Sequence, residues 1–590
     1  MSRPNRPPPS APFVLQKKDE TTISNGDASS QSSQNQNEDQ PISQNKSSED
    51  ISANTSLVPS NEDIIQSAAP PPQVMGNFYD ALPALAAQSL VSESEGESEV
   101  DIQDSSAAPE QIEPPSLTPE ELVERLPKER LRELEDILLT NYASSVSHRT
   151  VARNAEYLLT RADGRAADLA EIWPYLKSEE FEEYREPNGM LSALLGKHFS
   201  IKCGIGRGTV VLCCEPCEDL NELDQIHTEA MKKLIGAAER RKMRVLAYGA
   251  QPVTEPKASL LNMIYHLHSL LRRIGTPFEA ASVGARDRVC VPVAQDELVE
   301  TVYLAQLLEP IVYQIFSNSP IAGGVDSYRA SARQWRMDGC AQSSRSLRLL
   351  GVQAPETSLS FGRICMPTAP WTDLEDLIKA ALLEPHLLKA DDEGWLEPAQ
   401  GSFIEFLNDE QQEYKSAWME HLAFGLGSLA FLPKTGTVEW GGADQQLWSQ
   451  TNVFSAFVLG VMERRSEILH FIRSFLPDEP YRIPFGLRQH EIVQRELERV
   501  KNPWPVFFEF REKALHLGLD QPQIFTGLLE GVITEAQIGL EKRGRGEEHY
   551  LNSLWPFLSE KESSVAHLRR SFHRQGLSVF LDQIQVNGQL

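Results

Sequence analysis

Positive charge is what this chain has least of. Its 56 lysines and arginines stand against 84 aspartates and glutamates, a formal net charge of −28 at pH 7. A protein that displaces counterions from phosphates concentrates cations instead, so nucleic acid is not expected as a partner. Long apolar runs are lacking too. No stretch approaches the roughly 18 apolar residues of a membrane span, and the Pro- and Ser-rich start has no apolar signal-peptide core. A soluble, cytoplasmic protein with no membrane partner is expected. Cysteine is sparse, 7 in 590 residues, odd in number and not spaced as a disulfide framework, which points to reduced thiols in a reducing compartment. Neither a Ser/His/Asp order nor a His-Glu-x-x-His run occurs, so serine-hydrolase and helical zinc-protease chemistry are not indicated.

What is present divides unevenly along the chain. Residues 1–116 hold 18 acidic and 5 basic residues in Ser-, Gln- and Asn-rich runs such as "SSQSSQNQNEDQ" and "SESEGESEVDIQD". Such a segment cannot bury enough apolar surface to order itself, so a disordered acidic tail is expected, with "VMGNFYDALPALAAQSL" as an apolar island within it. Order is expected from "SLTPEELVERLPKERLRELEDILL", where Thr118 before Pro119, Glu120 and Glu121 reads as an N-cap with a proline and acids in the first turn. Residues 117–175 read as a helical lead-in. Strand-like "HFSIKCGI", "GTVVLCC", "RVLAYGAQPV" and "DRVCVPV" then alternate with helices at 219–242, 256–274 and 296–316, giving a mixed α and β unit over 176–470. From 471 to 590 the periodicity is helical, with segments near 487–501, 507–517, 521–541 and 561–576.

Three cysteines crowd "TVVLCCEPCEDL". Cys214 and Cys217 form a Cys-x-x-Cys pair, but a structural zinc needs four ligands and no second pair stands at a matching spacing. The adjacent Glu218 and Asp219 oppose thiolate formation, so buried unreactive thiols fit better than a redox couple. "GIGRG" at 204–208 precedes a strand rather than a helix, which reads as a tight hairpin and not a phosphate loop.

Taken in order, several segments resemble the glutamate-cysteine ligase family, particularly its plant-type and proteobacterial branch. "GRGTVVLCCEPCEDL" is similar to the family's "GGQFELSGAP" strand and turn. "ELVETVYLAQLLEPIVYQIFSNSPIAGG" resembles the helix that ends in "FANSPF", down to a mid-helix proline, here Pro310. "SYRASARQW" resembles an arginine-bearing segment ending in Trp, and "LAFLPKTGTVEWGGADQ" the late strand ending in "RGAD". The resemblance implies an α+β, glutamine-synthetase-like fold: a curved antiparallel sheet with outer helices, to which this chain adds a helical C-terminal unit. It also implies ATP and Mg²⁺ as cofactors, phosphorylation of a substrate carboxylate, and displacement of the phosphate by an amine.

By the same resemblance, Glu439 is the candidate catalytic and metal-binding residue, with Glu180 and Glu182 as further metal ligands. Arg329, Arg333 and Trp335 are the candidates for binding an amino-acid substrate, since a guanidinium matches a carboxylate. The pattern is broken elsewhere. Ile205 and Val211 fall where two metal-facing glutamates are expected, Asp287, Arg288 and Val289 fall on the family's Gln-Val-Asn strand, and Gly441 replaces the arginine of "RGAD". Two readings follow: a divergent ATP-dependent carboxylate-amine ligase, or a ligase-fold pseudoenzyme whose acidic tail and helical C-terminus contact a protein partner.

Overall fold

The computed structural model of the chain describes residues 117–341, 373–390, 396–409, 414–423, 429–475, 511, 514, 518, 526–560 and 563–586. The expected tail at 1–116 and the expected helix at 487–501 lie outside the described residues, as does most of the one expected at 507–517. The strands are β1 (Val151–Thr160), β2 (Glu182–Arg185), β3 (Leu191–Leu195), β4 (Phe199–Cys203), β5 (Thr209–Cys217), β6 (Arg244–Leu246), β7 (Arg286–Pro292), β8 (Ile321–Ala322), β9 (Val325–Asp326), β10 (Leu388–Ala390), β11 (Leu396–Pro398), β12 (Leu429–Leu432) and β13 (Thr437–Asp444). Nine of them form one antiparallel sheet in the order β12-β13-β7-β1-β5-β4-β3-β2, with β6 also on β1. The molecule is thus α+β, an antiparallel sheet with helices packed on it. Among the described residues no helix is long and apolar enough to cross a membrane.

The helices that position the sheet are α1 (Pro119–Glu124), α2 (Lys128–Leu139), α3 (Leu220–Glu239), α4 (Tyr265–Ile274), α5 (Leu298–Phe316), α6 (Ala332–Ala341), α7 (Leu374–Leu382), α8 (Phe403–Asp409), α9 (Tyr414–Ala423), α10 (Val453–Glu463), α11 (Arg465–Phe475), α12 (Thr526–Arg543) and α13 (Ser564–Ile584). The start of α1 follows from its sequence: the Thr118 hydroxyl accepts from the Glu121 amide and the Glu121 carboxylate accepts from the Thr118 amide, a reciprocal cap. Helix α3 lays Ala230, Met231, Leu234 and Ile235 on Ala155, Tyr157, Leu194, Ile201, Val210 and Leu212 of the sheet. Each buried Met, Leu, Ile or Val among them contributes about 1.5–3 kcal/mol. Helices α5 and α10 cover the same side further along, against Val289, Val291, Val438 and Trp440. This is the back face of the sheet.

The expected hairpin at 204–208 is present, joining β4 to β5. It needs Gly206, because a Cβ there would run into the Ser282 carbonyl. The helical reading of 150–160 does not hold: these residues are β1, the strand at the middle of the sheet. Its sequence, VARNAEYLLT, hides the alternation because six consecutive residues from Ala155 are buried and two of the buried side chains, Arg153 and Glu156, are charged.

A cluster beyond the sheet carries a testable pH effect. His386 is buried against Phe403 and Phe406, with His421 5.7 Å away ring to ring, and neither of its nitrogens has a hydrogen-bond partner. Burial first, then His421, Arg273 and Lys389, push its pKa down to about 3. The unfolded imidazole titrates near 6.5, so the native state is penalised as pH falls from there toward 3, by about 1.4 kcal/mol per pH unit. Urea unfolding between pH 7.5 and 5 should show a shallower loss of stability in His386→Phe than in the parent, and equal slopes would refute a neutral buried histidine.

Candidate functional site

On a strand, residues two apart share a face, so pairing fixes which side chains meet. The face away from α3 carries Asn154 and Glu156 from β1, Arg286, Arg288 and Cys290 from β7, Glu439 from β13, Val211 and Cys213 from β5, and Lys202 from β4. The register states this directly: Glu439 lies opposite Cys290, Asn154 opposite Arg288 and Cys213, and Glu156 opposite Val211, which lies opposite Lys202. Sequence distance hides these meetings. Glu439 reaches residues 285 and 151 positions earlier in the chain, Asn154 and Arg288.

Arg288 is the centre of the site. Its Nη1 donates to Glu439 Oε1 at 3.1 Å and its Nη2 lies 3.3 Å from Glu156 Oε1, so one guanidinium bridges two carboxylates from strands on either side of its own. Arg286 stands 3.6 Å from Glu156, Asn154 donates to Glu439 at 3.0 Å, and the Arg286 amide donates to Glu156 at 3.0 Å. Burial opposes the charge on Glu439, but Arg288 and Arg286, helped by Asn154, hold its carboxyl below the usual range. Burial likewise opposes the charge on Arg288, while Glu439 and Glu156 push its pKa further up. Glu439 and Arg288 therefore both stay ionised. Cys290 completes the row, its Sγ 3.6 Å from Glu439 Oε2, with burial and then Glu439 keeping it a thiol.

The residues expected to hold a metal do not meet. Glu439 is on β13 and Glu182 on β2, six strand spacings apart in the sheet order, about 29 Å along a flat sheet. Glu180 is drawn to the back of the sheet, where the Lys233 ammonium of α3 donates to it at 2.7 Å. Among the described residues no group of three or more His, Cys, Asp or Glu is placed to hold a metal ion. Mg²⁺ needs several unencumbered oxygens in octahedral array, whereas the two carboxylates that do converge, Glu156 and Glu439, are already held by guanidinium groups. These residues do not fit the ion.

The expected substrate residues part company as well. Arg333 points inward, 3% exposed, and donates through Nε to Asp444 Oδ1 at 2.6 Å and through Nη2 to the Gly442 carbonyl at 3.0 Å. Its carboxylate partner is thus part of the chain itself. Arg329 and Trp335 do meet, the guanidinium 4.9 Å above the indole ring, at the surface. The cysteines of the Cys-x-x-Cys pair are free and buried; burial raises both thiols, Cys217 to about 12, which leaves no thiolate for redox chemistry.

Of the β7 residues that fall on the family's Gln-Val-Asn strand, only Arg288 faces the site. Asp287 and Val289 face the back, and Arg286, Arg288 and Cys290 face the site. Val211 does stand on the site face, beside Glu156, where an apolar side chain offers a cation nothing. Glu156 was missed because its strand was read as helix. Opposite Arg288 the ladder is broken between Trp440 and Ala443, so the two glycines at 441 and 442 lie where the register shifts.

An antiparallel sheet bearing convergent acidic and basic side chains on one face, with helices behind it, defines the class of the protein as α+β. Residues 191–340 match the model of glutamate-cysteine ligase family 2, so over that stretch the chain carries the pattern of the family it resembles. Among solved structures it is similar to a glutamate-cysteine ligase from Francisella tularensis in complex with AMP, at a TM-score of 0.43 and 9% identity, covering 75% of this chain and 89% of that one. A bifunctional glutathione synthetase from Pasteurella multocida is similar at a TM-score of 0.36 and 12% identity, covering 77% of this chain and 53% of that one. No curated protein matches the chain.

Proposed function

We propose that this glutamate-cysteine ligase-like chain is a pseudoenzyme, a scaffold or regulator that binds protein partners and has a guanidinium where a ligase holds its metal. The observation that carries this is the Arg288 bridge between Glu156 and Glu439, at 3.3 and 3.1 Å. For Mg²⁺ to enter, a charge-paired guanidinium would have to give up both carboxylates, and Val211 supplies no replacement ligand. On this reading the acidic N-terminal residues and the C-terminal helices make the partner contacts, in the cytoplasm.

The rival is an ATP- and Mg²⁺-dependent carboxylate-amine ligase acting on an amino acid. It is supported by the two carboxylates that do share the site face. Calorimetry of the full chain with ATP, with and without Mg²⁺, separates the two. The pseudoenzyme predicts no Mg²⁺-dependent heat in the parent. It also predicts that Arg288→Gln, which removes the guanidinium that bridges the two carboxylates, gains measurable affinity for Mg²⁺ or Mn²⁺ alone. Mg²⁺-dependent ATP binding by the parent that disappears in Glu439→Ala would instead establish the ligase.

A further inference from the structure

The sheet face holds a cation whose donors the chain leaves unused. Arg286 stands at the start of β7 beside Glu156 of β1, yet among the described residues its guanidinium makes no hydrogen bond, and its ion-pair contact is the 3.6 Å approach to Glu156. That carboxylate is already engaged, since it accepts from the Arg286 amide at 3.0 Å and faces Arg288 Nη2 at 3.3 Å. Arg288 differs on each count. Its Nη1 donates to both oxygens of Glu439, at 3.1 and 3.4 Å, and its Nε is buried without a partner, whereas no nitrogen of Arg286 is sealed off from outside.

The electrostatics agree with the geometry. Burial first, with Arg288 and Arg333 adding like charge, holds the pKa of Arg286 below its ordinary value, although Glu156 and Glu439 oppose them. A guanidinium largely removed from water, with no acceptor in place of it, costs free energy that an incoming acceptor recovers. The cations are also what a ligand meets first. The side chains of Arg288 and Arg286 are 20% and 15% exposed, those of Glu439 and Glu156 only 12% and 8%. We infer that Arg286 anchors a small organic acid, bound through its carboxylate and without a metal ion. The carboxylate takes the open fork of Arg286 in two parallel N–H···O bonds, the pairing to which a guanidinium is matched. A carboxylate suits the face better than a phosphate, because Glu156 and Glu439 act on the same guanidinium and would repel a dianion about twice as strongly. With so little of Arg286 exposed, the fork is reached by a group that enters between its neighbours, which a small molecule does and a flat protein surface does not. This inference rests on the reading of the face as one that holds no metal.

The test is saturation-transfer NMR of the full chain, stripped of divalent ions on a chelating resin, with propionate and succinate. The comparison probes are propionamide, the uncharged counterpart of propionate, and methylphosphonate. Both acids should receive saturation from the protein, less as salt is raised, and the amide should not. Arg286→Met should weaken binding at least tenfold while leaving the thermal midpoint equal or higher, because the guanidinium it removes bonds to nothing in the chain. Arg286→Lys, which keeps the charge and loses the fork, should fall between Met and the parent. No transfer to either acid, equal transfer to propionamide, preference for methylphosphonate or unchanged affinity in Arg286→Met would each overturn the inference and leave the pseudoenzyme reading standing. A midpoint lowered in both variants would make Arg286 structural and overturn it too. Carboxylate binding that appears only when Mg²⁺ and ATP are added would overturn both.

Discussion

Asp287→Ala is expected to cost this protein about 3–5 kcal/mol of stability, the loss that follows when one member of a buried ion pair is removed. Asp287 and Arg153 are both fully buried, and the contact is a two-pronged fork, Nε to Oδ1 at 2.8 Å and Nη2 to Oδ2 at 2.7 Å. The remaining Nη1 of Arg153 donates to His227 Nδ1 at 2.5 Å and to Thr451 at 2.9 Å, so the guanidinium ties β7, β1, α3 and the start of α10 together. Because arginine cannot accept, His227 Nδ1 must be the acceptor, and its Nε2 proton goes to the Tyr157 oxygen 3.0 Å away. Burial and then Arg153 keep that imidazole neutral, its pKa far below the ordinary value. Removing the carboxylate strands a cation among groups that offer only neutral dipoles. Urea unfolding monitored by tryptophan fluorescence measures the loss, and a change under about 1 kcal/mol would contradict the network described. Replacing both partners with apolar residues, Arg153→Met with Asp287→Leu, should recover most of it, because the cost lies in the unpaired charge and not in the absence of the pair.

The contrast between this pair and the site face shows what the sequence could disclose. Helices α3 and α5 were legible because their apolar residues recur with helical period, and β5 and β7 because valines cluster in them. The central strand was not, since β1 carries Arg153, Asn154 and Glu156 in a run that looks like the polar side of a helix. The identity of the face was also beyond reach for β7, since an offset of one residue sends every side chain to the opposite side. Val211 lies on the site face, opposite Glu156. The guanidinium of Arg288, reaching carboxylates on the strands either side of β7, depends on pairings between residues 132 to 151 apart and has no local signature. Glu180 and Glu182 illustrate the converse. Their spacing suits one face of a strand, but only Glu182 lies in β2, and Glu180 turns away to a lysine.

Arg333 provides the second large effect, because a residue expected to bind substrate is committed to the interior. Asp444 accepts from Arg333 Nε at 2.6 Å, Ser319 Oγ at 2.6 Å, Ser331 Oγ at 2.9 Å and the Asn318 amide at 2.8 Å, and it is completely buried. These donors come from the segment between α5 and α6 and from the start of α6, so the carboxylate at the end of β13 staples both to the sheet. Asp444→Ala leaves a buried guanidinium and two buried hydroxyls without their acceptor and should cost about 3–5 kcal/mol; Arg333→Ala leaves the carboxylate with its three neutral donors and should cost nearer 3. A substrate-binding arginine behaves in the opposite way: its removal spares the fold and weakens only the ligand. Denaturant unfolding of Arg333→Ala beside Arg329→Ala distinguishes the roles, since Arg329 stacks on Trp335 at the surface and its loss should shift stability by no more than about 1 kcal/mol. Equal and small effects from both would return Arg333 to the solvent-facing role that its place in the sequence suggested. A large effect from Arg333 alone means that the "SYRASARQW" segment holds the hairpin and α6 against the sheet.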